Sequence, residues 1–354
     1  MAITQYITHF NQRKKRIIGL KIIKVSCGEE HSANLMLRHT PGGLGVWGGC
    51  QFVVNKHVDQ CDWWVVCHGS GLRNVETVFC DPSHIVYISM EPEEIDGSIE
   101  HGFLNQFSKL ILCDEFVKHP DITYRNGLTW WVGMQMEYRE WAHHFLPNYT
   151  LDFDKLSMMA FPEKKNRISV IVSKKSSMEG HKARLRFLEK LMTYPVAEYI
   201  DIYGGGFNAI PDKWDVIAPY KFHLVLENDV KPNYWTEKLA DAFLGFSFPI
   251  YHGCPNVFDY FPQDSLLPID INDVDKTAAN MLSLINGNQL FNYNKNSIEY
   301  SRRKVLQDYN IFQMMSDACN EPAKRKVKCK LKPKRYFTGS LTKRIVKNFL
   351  SPWY

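Results

Sequence analysis

The side chains best placed for chemistry crowd one stretch, Tyr220-Lys221-Phe222-His223-Leu224-Val225-Leu226-Glu227-Asn228, followed by Tyr234-Trp235-Thr236-Glu237-Lys238-Leu239. The apolar run through Leu226 predicts a buried strand, and the residues from Thr236 to Leu244 predict a helix with Thr236 as its N-cap. Glu227 and Asn228 then fall at the carboxyl end of a strand, where open α/β sheets hold their ligands. Glu237 and Lys238 fall in the first helical turn, beside unpaired backbone amides and the positive end of the helix dipole, a setting that suits phosphate. Each residue also has a plainer reading. Lys238 reads as a solvated lysine paired with Asp241 or Glu237, and Glu227 as a cap for the loop after it. Gly204-Gly205-Gly206, at the end of another strand, reads as a plain turn or as backbone beside a nucleotide.

Elsewhere the motifs are weaker. Glu91 follows an apolar strand in Ile88-Ser89-Met90-Glu91-Pro92, with Glu93, Glu94 and Asp96 close enough to confuse its register; the plain alternative is a surface acidic loop. Trp47, Trp63-Trp64 and Trp130-Trp131 offer flat rings to a sugar face, although large aromatics mostly fill cores. Asp152-Phe153-Asp154 has the Asp-x-Asp form that can hold a divalent cation on a diphosphate, but it stands far from the Glu237-Lys238 cluster and reads as a chance match. Cys61, Cys67 and His68, even with Cys50 or His57, lack the paired short spacings of a zinc site, so no metal is expected.

Short apolar runs at 17–25, 63–67, 84–89 and 110–113 predict strands, and 97–107 has helical character. A second α/β series follows, with strands at 167–172, 197–203, 222–226 and 248–251 and helices at 181–192, 236–244, 274–285 and 297–318. The alternation predicts two Rossmann-like domains with largely parallel sheets. Their expected bounds are 1–150 and 167–320, with a linker at 151–166 and a basic tail at 321–354.

The run from Tyr220 through Glu227-Asn228, Tyr234 and Thr236-Glu237-Lys238 to Phe248-Pro249-Ile250-Tyr251-His252-Gly253 resembles the donor-binding signature of the family 10 glycosyltransferases, the α1,3-fucosyltransferases. The resemblance implies the GT-B build, two Rossmann-like domains facing a cleft, with an N-terminal acceptor domain and a C-terminal donor domain. It implies inverting transfer from a GDP-sugar, normally GDP-fucose, with no cofactor required. In that reading Lys238 neutralises the diphosphate, Glu237 hydrogen-bonds donor hydroxyls, and Asn228 and Tyr234 complete the pocket with Glu227. Upstream, Ser173 ends a strand, and Arg184, Phe187 and Leu191 repeat the family's spacing, which makes Arg184 the expected diphosphate partner; Arg186 is the competing register. Glu91 becomes the expected general base, its pKa raised by the bound diphosphate. Rival readings are another GDP-linked deoxyhexose as donor, or a silent glycan- or nucleotide-binding protein.

The composition sets limits of its own. Hydrophobic residues at 45% and charged residues at 23% are those of an ordinary globular protein. Nine cysteines without a framework predict reduced thiols, and residues 1–20 lack a signal-peptide core, so a cytoplasmic location is expected. Asn148-Tyr149-Thr150 fits the glycosylation pattern but is irrelevant in that compartment. Lys324 to Arg335 concentrates the basic charge, and Leu341, Ile345, Val346, Phe349 and Leu350 follow among further lysines and arginines. Nothing like a nucleic-acid module precedes that segment, so the expected partner is an anionic membrane surface on the cytoplasmic side, alongside an oligosaccharide or lipid-linked glycan acceptor.

Overall fold

A computed structural model describes residues 19–28, 32–93, 100–139, 142–287 and 294–338. The chain divides into two compact units. One takes described residues from Met1–Ala33, Leu44–Gly127 and Phe312–Tyr354, and the other is built from Asn34–Gly43 and Leu128–Ile311.

The first unit holds a seven-stranded sheet of β1 (Lys21–Ser26), β2 (Val46–Trp47), β3 (Cys50–Val54), β4 (Trp63–Cys67), β6 (Ile85–Ile88), β7 (Lys109–Leu112) and β8 (Ile122–Tyr124). Its order is β2-β3-β1-β4-β6-β7-β8, parallel apart from β2 on β3. β4 is buried at every position, as a parallel strand covered on both faces must be. β5 (Glu76–Cys80) lies outside this sheet and pairs with β16 (Val327–Leu331), the last described strand.

The second unit carries the antiparallel pair β9 (Met134–Arg139) and β10 (Ala142–Tyr149), and an all-parallel sheet of β11 (Lys165–Ile171), β12 (Ile200–Tyr203), β13 (Tyr220–Leu226), β14 (Phe248–His252) and β15 (Leu267–Pro268). The order β12-β11-β13-β14-β15 is the doubly wound one in which the chain leaves β11 to one side and β13 to the other. Helix α1 (Glu179–Leu191) and helix α3 (Val274–Ile285) cover one face through Phe187, Leu188, Met281 and Leu284. Helix α2 (Glu237–Leu244) packs Leu239 and Phe243 on the other, with Val305 and Leu306 of helix α4 (Lys295–Leu306). Both units are therefore Rossmann-like, and the expected α/β class holds.

The chain is partitioned differently from the expected bounds of 1–150, 151–166, 167–320 and 321–354. Residues 128–150 join the second unit because its buried carboxylates bind their backbone: Asp241 accepts from Trp131 and Val132 N–H, and Asp212 from Gly133 N–H and Thr150 Oγ. The expected linker contains a helical turn, Phe153–Met158, capped by Asp152 through Lys155 N–H, while Asp154 accepts from Gly42 N–H. Both carboxylates of the Asp-x-Asp motif thus have structural work. The expected single helix over 297–318 breaks between Leu306 and helix α5 (Ile311–Ala318), where the buried Asn310 side chain donates to the carbonyls of Leu306 and His39.

The basic segment is also less of a tail than expected. Val327, Cys329 and Leu331 turn inward along β16 while Lys328 and Lys330 face out, and Asp81 accepts from the N–H groups of Lys324 and Arg325. The amphipathic stretch from Leu341 to Leu350 lies outside the described residues. All nine cysteines are free thiols, eight of them buried. Among the described residues no helix is long and apolar enough to cross a membrane.

Candidate functional site

The switch point between β11 and β13 opens into a cavity of the second unit, whose lining includes Ser173, Arg184, Gly204, Asn228, Glu237 and Lys238. Local sequence explains how these groups converge. β11 delivers Ser173 just past its carboxyl end, and β13 delivers Asn228 past its own. Helix α1 starts close against that second loop: a Cβ at Gly180 would collide with the Asn228 carbonyl oxygen, so only glycine lets the helix begin there. One turn on, Arg184 is buried and donates from Nη1 to the Leu226 carbonyl at 3.2 Å, while its Nε has no partner. Arg186, the competing register, is on the surface and pairs with Glu179 at 2.6 Å. Gly204, at φ 114°, lies so near the Val172 carbonyl that a side chain would clash, and it presents bare backbone to the cavity.

Helix α2 begins as expected, with Thr236 as N-cap accepting from Lys238 N–H. Lys238 Nζ stands 3.4 Å from Glu227 Oε2 and 3.3 Å from Glu237 Oε1. Asp241 is not its partner, because Lys213 Nζ takes Asp241 at 3.0 Å and reaches Glu237 at 3.4 Å. Burial alone would raise the Glu237 carboxyl, but Lys238 and Lys213 outweigh it and hold the group at about 2. Glu237 is thus a fixed anion between two cations. Burial, with Arg184, Lys175 and Lys238 nearby, brings His181 down to about 4, so this cavity-lining imidazole is neutral at pH 7.

Two of the expected donor ligands stand behind the wall. Glu227 is buried; its Oε1 accepts from Thr236 N–H at 2.9 Å and its Oε2 from Thr236 Oγ1 at 2.7 Å. Both oxygens are used in fixing the N-cap, so Glu227 orients the helix that carries Glu237 and Lys238. Burial pushes its carboxyl pKa up against the pull of Lys238. Tyr234 is fully buried and is not among the lining residues.

A further part of the lining was not legible from the motif. It is made by Trp131, Met136, Tyr138, His143, Lys213 and Asp241. Lys213 Nζ sits 4.4 Å from the Trp131 ring centroid, and Trp131 meets Phe145 edge-on at 4.7 Å. The sequence marks Trp130-Trp131 as a ring supply, but Lys213 meets Asp241 of helix α2 from 28 residues away and carries no local signal.

Glu91 belongs to the first unit. It follows β6 at the carboxyl end of the strand, half-buried, in a small cavity it shares with Glu93, Glu100 and Asp114. Ser89 Oγ donates to the Glu91 carbonyl at 2.5 Å, and Glu93 N–H points to the Asp114 carboxylate, so Glu91 and Glu93 have distinct backbone settings. Glu94 and Asp96 lie outside the described residues. Among the described residues no cluster of His, Cys, Asp and Glu has a metal-holding arrangement.

Sheet order and switch-point cavity place the chain among the Rossmann-like α/β proteins. Residues 161–334, just under half of the chain, match the C-terminal domain of glycosyltransferase family 10 (fucosyltransferase). A putative fucosyltransferase-like protein of Arabidopsis thaliana is 36% identical over 103 residues, 28% of this chain and 20% of the relative. The alpha-(1,3)-fucosyltransferase of Helicobacter pylori is 35% identical over 72 residues, 20% of this chain and 15% of the relative. The chain therefore spans a fifth or less of these two relatives. A crystal structure of an alpha1,3-fucosyltransferase with GDP aligns over 83% of this chain and 92% of its own, at 16% identity and a TM-score of 0.45.

Proposed function

We propose that the chain transfers fucose, with inversion and without a metal ion, from GDP-fucose to a hydroxyl of a glycan. The observation that carries the donor reading is the cluster of Arg184 and Lys238 at the switch point and the start of helix α2, with Glu237 held ionised beside them. The match of residues 161–334 to the C-terminal domain of glycosyltransferase family 10 supports fucosyl transfer in particular. Arg184 has a free Nε, and guanidinium suits two phosphate oxygens. Ser173 and Asn228 would complete the phosphate end, and Glu237 would accept from sugar hydroxyls.

In the proposed reaction the acceptor oxygen attacks the anomeric carbon, its proton passes to the Glu91 carboxylate, and the bond to the β-phosphate oxygen breaks. The charge left on GDP is met by Lys238 and Arg184. Replacing Glu91 with glutamine is expected to lower transfer by about 10²- to 10⁴-fold with GDP binding unchanged. A Glu91→Gln chain that transfers normally while Glu93→Gln does not would move the role to Glu93.

Calorimetric titration with GDP, GDP-fucose, UDP and UDP-sugars, in the presence of a chelator, tests the whole reading. Binding confined to the guanosine ligands supports it. A uridine preference, or binding that needs a divalent cation, would reject it. Donor binding with neither transfer nor hydrolysis would favour a silent binding protein, and turnover of a different GDP-deoxyhexose in preference to GDP-fucose would change the sugar and leave the mechanism standing.

A further inference from the structure

The antiparallel pair β9–β10 lies outside the segment that matches the family, yet it supplies Trp131, Met136, Tyr138 and His143, from the pair or its approach, to the same cavity. We propose that this wall is the subsite for the sugar of the bound nucleotide sugar, with Trp131 and Met136 as specificity-determining residues that select a 6-deoxyhexose. The proposal rests on the donor reading above.

Three observations support it. The wall is anchored along its length: Asp241 accepts from the N–H groups of Trp131 and Val132 at 2.8 and 3.0 Å, Asp212 from Gly133 N–H at 2.8 Å, and the Pro211 carbonyl from Met136 N–H at 2.8 Å. A wall so held can discriminate between ligands, because it cannot yield to a wrong one. Its chemistry is also amphipathic. Trp131 and Met136 give an apolar surface, while Lys213, over the Trp131 ring, holds the Glu237 carboxylate beside it. A sugar has that same division, with hydroxyls along one edge and C–H groups on a face, and a 6-deoxyhexose adds a methyl group that an apolar side chain can cover.

The third observation is direction. With the diphosphate at Arg184 and Lys238, a nucleotide sugar has two ends to place. Gly204 and Gly205, just past the end of β12, offer bare backbone with room for a base. Trp131 is tied to Asp241 and lies under Lys213, and Lys213 also reaches Glu237, which brings a hydroxyl acceptor to this wall.

The test compares GDP, GDP-fucose and GDP-L-galactose, which is GDP-fucose carrying a hydroxyl on C6, by calorimetry on the full chain and its Trp131→Ala and Met136→Gln variants. An apolar site rejects an added hydroxyl by at most about 10²-fold, so GDP-fucose should bind more tightly than GDP-L-galactose within that limit. Trp131→Ala should weaken GDP-fucose about tenfold and leave GDP within about twofold, the size of a lost aromatic contact. Met136→Gln, close in volume but polar, should narrow the ratio between the two sugars, and it carries the test if the tryptophan variant does not fold. Equal losses for GDP and GDP-fucose would overturn the proposal by putting the base against this wall, and so would an unchanged ratio in Met136→Gln. Failure of the unaltered chain to bind GDP would remove the donor reading, and this wall with it; normal GDP binding with no sugar effect would remove the wall alone.

Discussion

Replacing Lys238 with alanine is expected to lower turnover of GDP-fucose by about 10²- to 10³-fold, the usual cost of removing one preorganised group from a developing charge. The reason lies in what Lys238 does before any ligand arrives. Its ammonium is held by Glu227, Glu237 and Thr236 Oγ1, all within 3.2 to 3.4 Å, so it needs little reorganisation to meet a leaving diphosphate. The fold should survive the change. Glu237 keeps Lys213, Glu227 keeps both bonds to Thr236, and the Lys238 side chain is about one-fifth exposed. GDP release from GDP-fucose, measured beside the thermal midpoint, separates the two effects. Arginine at the same position should recover little, since a planar fork does not occupy the place of a compact ammonium between two carboxylates. A Lys238→Ala chain with near-normal turnover would show that the charge is met elsewhere and would sink the donor assignment.

Much of the arrangement that puts Lys238 there was legible because its signals are local. The β13 strand, the Thr236 cap and the first turn of helix α2 follow from consecutive residues, and helix α3 occupies the 274–285 span that its periodicity predicts. Arg184 and Arg186 are told apart only by the fold, since both sit on one helix and only the first faces β13. Glu227 and Tyr234 belong to the motif but turn inward, because the helix start has a cap that must itself be held. In β16 the alternation of Val327, Cys329 and Leu331 with Lys328 and Lys330 is a strand signal present in the sequence, hidden by the density of basic charge around it. The part of the lining around Trp131 had no such signal. Trp131 and Asp241 are 110 residues apart, and neither residue's neighbours betray the pairing.

That long-range pairing makes Asp241 the position where a single substitution should cost the most stability. Its carboxylate is completely buried and makes three connections: Oδ1 to the N–H groups of Trp131 and Val132, and Oδ2 to Lys213. Alanine would leave two backbone donors without an acceptor and Lys213 with Glu237 alone, at 3.4 Å. Breaking a buried pair in this way typically costs about 3 to 5 kcal/mol. For a unit of this size that is a fall in thermal midpoint on the order of 10 °C. Asparagine separates the two parts of the cost, because its carbonyl oxygen can still accept from both amides while its NH₂ group cannot satisfy the ammonium. Asp241→Asn should therefore be intermediate in stability and should lose GDP-fucose affinity beyond any loss for GDP, since Lys213 would then draw Glu237 toward itself and away from the sugar. If Asp241→Ala unfolded within a degree of the unaltered chain, the buried carboxylate would not be what holds the wall in place, and the rigidity on which its selectivity depends would need another source.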